Sequence, residues 1–179
     1  AGMEAVAPTR HMPFMENSTA TQVFHPLART GINWTQTSDR WLLDIGVFGN
    51  DVEDMYRGDT QLLRMAWTPS SEHTKAHVGI ALTRDVPRRG VVASYPDSGS
   101  VRWVNRGVAS LLPDRLATTG TLTGVDVVNR QNLQGAWIRG QAWLQSEYFF
   151  QQTLRQMSLP DYRRHGGYLI AGWVPGQQW

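Results

Sequence analysis

"WLLDIGVF", residues 41–48, puts Trp41, Leu43, Ile45 and Val47 on one face of an extended chain and Leu42, Asp44, Gly46 and Phe48 on the other. A helix would scatter both sets around its circumference, because its side chains repeat every 3.6 residues and not every two. The period returns along the chain. Leu63, Met65 and Trp67 oppose Leu62, Arg64 and Ala66, while Ala76, Val78, Ile80 and Leu82 oppose His77, Gly79, Ala81 and Thr83. Leu133 and Trp137 oppose Gln134 and Ala136; Leu144 and Tyr148 oppose Gln145 and Glu147. With Thr30–Thr37, Ser100–Arg106 and Gly166–Val174, the pattern gives about eight half-buried strands and no helix. The fold class is all-β and antiparallel.

Composition narrows the functions. A chain of 179 residues suits one domain, and its charged share of 18% is below the roughly 25% of an ordinary soluble domain. Basic and acidic residues number 17 and 15, too even for a nucleic-acid partner. Lys75 is the only lysine, so the positive charge is almost all arginine, the side chain suited to planar oxyanions. Without cysteine there is no zinc ribbon, disulfide or thiol chemistry. No run of 18 apolar residues offers a membrane-spanning helix. The opening "AGMEAV" has no initiator and leads us to expect a processed or truncated start.

Half-buried antiparallel strands fit a soluble sandwich and a membrane barrel alike. The links at Thr37–Arg40, Pro69–Glu72, Arg139–Gln141 and Pro175–Gly176 are short, whereas Asn50–Asp59, Asp85–Gly99, Gly107–Gly124 and Gln152–His165 are long. Short turns at one end and long loops at the other are expected of an outer-membrane barrel, and a Greek-key sandwich does not sort its loops this way. Trp34, Trp41, Trp67, Trp137, Trp143 and Trp173 lie near short turns; Phe48, Tyr148, Phe149, Phe150 and Tyr168 lie near long-loop ends. Two aromatic belts suit two membrane interfaces. The alternatives are a sandwich that binds carbohydrate through exposed tryptophans and a non-conducting outer-membrane scaffold.

"GMEAV", "FMENS", "VFHP", "RTGINW", "WLLDIGVFGND", "VRWVNRG", "DRLATTGTLTGVD", "AWIRGQAWLQSEYFF" and "GGYLIAGWVPGQQW" follow one another from end to end of the chain. In this order they resemble the phosphate-selective porin O and P family. The resemblance implies part of a sixteen-stranded transmembrane β-barrel, a homotrimer of the Gram-negative outer membrane that passes small anions such as phosphate. It also implies contact with membrane lipid and lipopolysaccharide, and no cofactor. Residues 1–29 would then form a lumen loop region and residues 30–179 the strands. Phe14 and Met15 would anchor the loop on the inner wall, and Glu16 would face water or an arginine. Asn17 stands where family members usually carry arginine, which removes one positive charge.

Alternation then says which charges face the lumen, since a charge on the lipid face costs about 2–4 kcal/mol at mid-bilayer. Arg64, Arg102, Arg106 and Arg130 are the expected pore-lining cations, and Asp44, Asp126 and Glu147 the expected lumen acids. Rings of arginine favour anions, while arginines paired to these acids would only brace the wall. Arg102 and Arg106 share a face about 13 Å apart, a spacing at which an anion could pass from one to the other. The acidic stretch Asp51, Glu53, Asp54 and Asp59 would oppose that preference. His73 and His77 would likewise lie about 13 Å apart on a strand, too far for a metal pair. "DYRRHGGY", residues 161–168, reads as a solvated loop end, and neither a nucleophile elbow nor a triad is present, so the chain is not read as an enzyme.

Overall fold

The computed structural model describes Thr21, Phe24 and residues 29–51, 58–87, 99–105, 117–156 and 158–176. Eight strands form: β1 (Arg29–Thr37), β2 (Trp41–Asp51), β3 (Asp59–Trp67), β4 (Thr74–Val86), β5 (Gly99–Asn105), β6 (Ala117–Arg139), β7 (Ala142–Arg155) and β8 (Tyr162–Trp173). They make one antiparallel sheet in the order β1-β2-β3-β4-β6-β7-β8, with β5 attached to β6 off this path. The described residues form one sheet and not two packed ones, which is not the arrangement of a sandwich. Among them the sheet does not close on itself: β1 pairs only with β2 and β8 only with β7. It is an open portion of a barrel wall. Thr21 and Phe24 lie outside the sheet and are both buried.

The tight turns follow from local chemistry. Ser38 Oγ accepts the Trp41 amide at 3.2 Å and the Ser38 amide reaches the Trp41 carbonyl at 2.8 Å, which closes β1 onto β2. The Ser71 amide donates to the Thr74 carbonyl at 2.7 Å between β3 and β4. Gly140, at φ +56°, turns β6 into β7 in a conformation that side chains with a Cβ rarely adopt.

Burial is inverted relative to a soluble protein. Ile32 is 78% exposed, Leu169 68% and Val47 58%, whereas Gln151 and Glu147 are at 0% and 1%. The exposed apolar side chains belong to one face. Val78, Ile80 and Leu82 on β4 lie beside Trp67, Met65 and Leu63 on β3, and Ile80 also lies beside Leu133 on β6. A large apolar surface of this kind needs an apolar solvent, and strands can meet one only where every backbone group is paired within a wall.

Two expectations need correction. Gly107–Gly124 is not one connection, because β6 begins at Ala117 and runs for 23 residues, far beyond the 9–11 that cross a bilayer. Its residues from Val128 onward pair with β4 and β7, while its first part pairs with β5. A bulge between Val125 and Val127, next to Gly124 at φ +71°, separates the two parts. Together, β5, which the sequence gives as the strand Ser100–Arg106, and the first part of β6, which falls in the long link after it, form a ribbon. The ribbon leans over the polar face. Trp103 on β5 stacks on Tyr162 on β8 at 6.0 Å, although β6 and β7 intervene and a flat sheet would hold these strands about 14 Å apart. The polar face is therefore the inner one.

The second correction concerns the aromatic belts. Trp34, Trp41, Trp67, Trp137 and Trp173 are exposed on the outer face near the short turns, and Trp41 lies 6.1 Å from Trp67. Trp143, however, alternates with Gln145 and Glu147 on the inner face, where its ring fills the space a side chain on Gly172 would need. At the long-loop end Tyr148 and Phe150 point outward, but Phe48, Phe149 and Tyr168 share the inner register. Height along a strand places a ring near an interface; parity decides which side of the wall it occupies.

Candidate functional site

The inner face carries two tiers of side-chain contacts, about 13 Å apart along the strands. The tier nearer the short turns crosses the whole wall. Asn33 Nδ2 donates to Thr35 Oγ1 at 2.9 Å, and Thr35 Oγ1 to Asp44 Oδ1 at 2.6 Å. Arg64 Nη1 stands 3.7 Å from Asp44 Oδ2, and Arg64 Nη2 donates to Gln134 Oε1 at 3.2 Å. His77 Nε2 lies 3.2 Å from that same oxygen. Gln134 Nε2 donates to Asn132 Oδ1, and Asn132 Nδ2 to Glu147 Oε2 at 3.0 Å. Glu147 Oε1 accepts the Tyr168 hydroxyl at 2.7 Å, which in turn accepts Gln145 Nε2 at 2.7 Å. Every strand of the wall contributes a member.

The tier nearer the long loops runs from β3 to β8. Thr60 Oγ1 donates to Asp85 Oδ1 at 2.5 Å, and Arg130 Nη1 donates to Asp85 Oδ2. Arg130 Nε then reaches Gln151 Oε1 at 3.1 Å, and Arg164 Nη2 reaches the same oxygen at 2.7 Å. Gln151 is fully buried, so one amide oxygen joins two guanidinium groups from different strands. Such networks hold polar groups in a fixed array at low local dielectric, where an unmade partner is costly.

Three of the four expected pore arginines fall among the described residues. Arg64 and Arg130 lie on the inner face, one in each tier. Arg102 is exposed on the ribbon, where it pairs with Thr121, and Arg106 lies outside the described residues. Of the expected acids, Asp44 and Glu147 are in the first tier. Asp126 falls at the β6 bulge, where strict alternation is interrupted and parity no longer assigns its face. Phe14, Met15 and Glu16 lie outside the described residues, as do Asp51, Glu53 and Asp54 in all but the backbone of Asp51.

Several participants escape the sequence reading. Asp85 sits at the border of a long link, Gln151 is a neutral side chain just before another, and Arg164 belongs to the apparent loop "DYRRHGGY". The available signal was the register: β7 continues to Arg155 and β8 starts at Tyr162, so parity from Glu147 and Tyr168 extends to Gln151 and Arg164.

Comparison with curated proteins and with solved structures returned no match. The family model for phosphate-selective porin O and P matches residues 2–179. That match covers the same chain whose described wall is apolar outside and polar inside. The protein belongs to the phosphate-selective porin O and P family and is an outer-membrane β-barrel porin of the Gram-negative envelope.

Proposed function

We propose that this chain lines a passage for the passive diffusion of small hydrophilic solutes, with a preference for anions of the phosphate class. The observation that carries the reading is the state of Arg64. Its Nη1 is beyond hydrogen-bond reach of Asp44, and its Nε finds no partner among the described residues. By contrast, Arg130 is committed to both Asp85 and Gln151. The Nε is buried, but an Nη1 held only by a loose ion pair can turn to phosphate oxygens, and weak fixation lets the ion leave again. Arg102 adds an exposed cation on the ribbon.

The outer face supports the lipid partner. A cleft of about 380 Å³ at its long-loop end has Leu63, Leu82 and Phe150 beside Gln61, Arg84 and Gln131. Arg84 there is suited to the phosphates of lipopolysaccharide at the end of the apolar band. Assembly as a homotrimer belongs to the same reading. The test is phosphate block of chloride current through the full-length protein in planar bilayers. Phosphate should reduce the current, and Arg64→Gln should weaken the block about tenfold, the loss of one charge-assisted contact. A current indifferent to phosphate in the parent overturns the anion preference.

A further inference from the structure

Arg164 does more than join Gln151. Its guanidinium carbon lies 4.6 Å from the centroid of the Phe24 ring and 4.3 Å from that of Trp103. Each ring is anchored in turn on the wall. Phe24 is buried and stacks on Phe149 at 5.4 Å with 7° between planes, and Trp103 stacks on Tyr162 at 6.0 Å with 12°. Neither ring belongs to the wall itself: Phe24 comes from before β1 and Trp103 from the β5–β6 ribbon. The stacks converge on one side chain of β8.

We propose that Arg164 is a positioning residue of the pore, a clasp that holds the Phe24 segment and the β5–β6 ribbon over the inner wall and so sets the open cross-section. The chemistry favours arginine specifically. Its guanidinium is planar, weakly hydrated and able to stack on aromatic faces while its edge donates hydrogen bonds; an ammonium is a compact, strongly hydrated charge. The bond to Gln151 ties the guanidinium edge to the wall. The role differs from that of a cation presented to passing ions, because rings cover the group. Removing it leaves Phe24 on Phe149 and Trp103 on Tyr162, so both segments should loosen and the wall should still fold.

The conductance arm of the test rests on the proposed pore, whereas amide exchange does not. Full-length protein is compared with Arg164→Gln, Arg164→Lys and Trp103→Ala, each reconstituted in lipid. All three should show higher and noisier single-channel conductance with an unchanged anion-to-cation permeability ratio. Backbone exchange over residues 99–105 should quicken about tenfold, as expected for loss of a desolvated cation–π contact. Lysine should fail to rescue. Parental conductance and exchange in Arg164→Lys would show that charge alone suffices and overturn the clasp. A changed permeability ratio with unchanged exchange would make Arg164 an ion-binding group and overturn it equally. A parent that does not conduct counts against the pore alone, since exchange still reads the clasp.

Discussion

Leu133 and Gln134 are consecutive residues of β6, yet Leu133 is 53% exposed and Gln134 only 4%. In water the two values would be reversed. Leu133 lies among Ile80 and Tyr148, while Gln134 is bonded to Arg64 and Asn132. One peptide step separates the apolar outer surface from the polar network of the inner face, and the period of two makes every strand repeat that division.

The outer band should therefore reject charge according to depth. Leu133→Arg should destabilise the folded protein by about 2–4 kcal/mol, and Gln131→Arg, two residues nearer the long loops, by about 0–1 kcal/mol. Urea unfolding in lipid vesicles measures both. Equal costs at the two sites would contradict the depth assigned to this face.

The absence of cysteine makes single-site labelling clean. A nitroxide at Ile80→Cys should be relaxed more by oxygen, which partitions into lipid, and one at Asp44→Cys more by a water-soluble nickel chelate. The opposite ranking would mean that the register is shifted by one residue.

Gln151→Leu should cost about 1–3 kcal/mol, because it strips an acceptor from two buried guanidinium groups while preserving volume. Thermal unfolding in detergent reads the change. A neutral result would show that water or other groups replace the oxygen without loss.

Asp85→Asn should raise anion preference. The carboxylate balances Arg130 across the wall, so neutralising it leaves the arginine's positive charge uncompensated in the lumen. Bi-ionic potentials report the sign. An unchanged potential would place this pair away from the ion path.

Much of this was legible in the sequence because alternation is strictly local. The Trp41–Phe48 pattern assigns Ile45 outward and Asp44 inward without knowledge of any partner strand. The strand extensions were not legible. Thr153 falls within an apparent long link and Gln151 at its border, since an inner wall uses polar side chains that carry no hydrophobic period. Arg164 was obscured by its neighbours Arg163 and His165, which share its composition while alternating in exposure with it. The ribbon was hidden for another reason. A bulge at Val125–Val127 and a positive φ at Gly124 bend a single long strand, and only contacts between Trp103 and β8, remote in sequence, reveal the direction.

The central claim is that the polar face encloses a conducting path biased toward anions, and reversal potential tests it most directly. Full-length protein in a planar bilayer under a tenfold potassium chloride gradient should give a non-zero potential whose sign drives chloride as the more permeant ion. A potential of the cation-selective sign, or a folded protein that conducts nothing, would contradict the account and leave the wall as an outer-membrane scaffold.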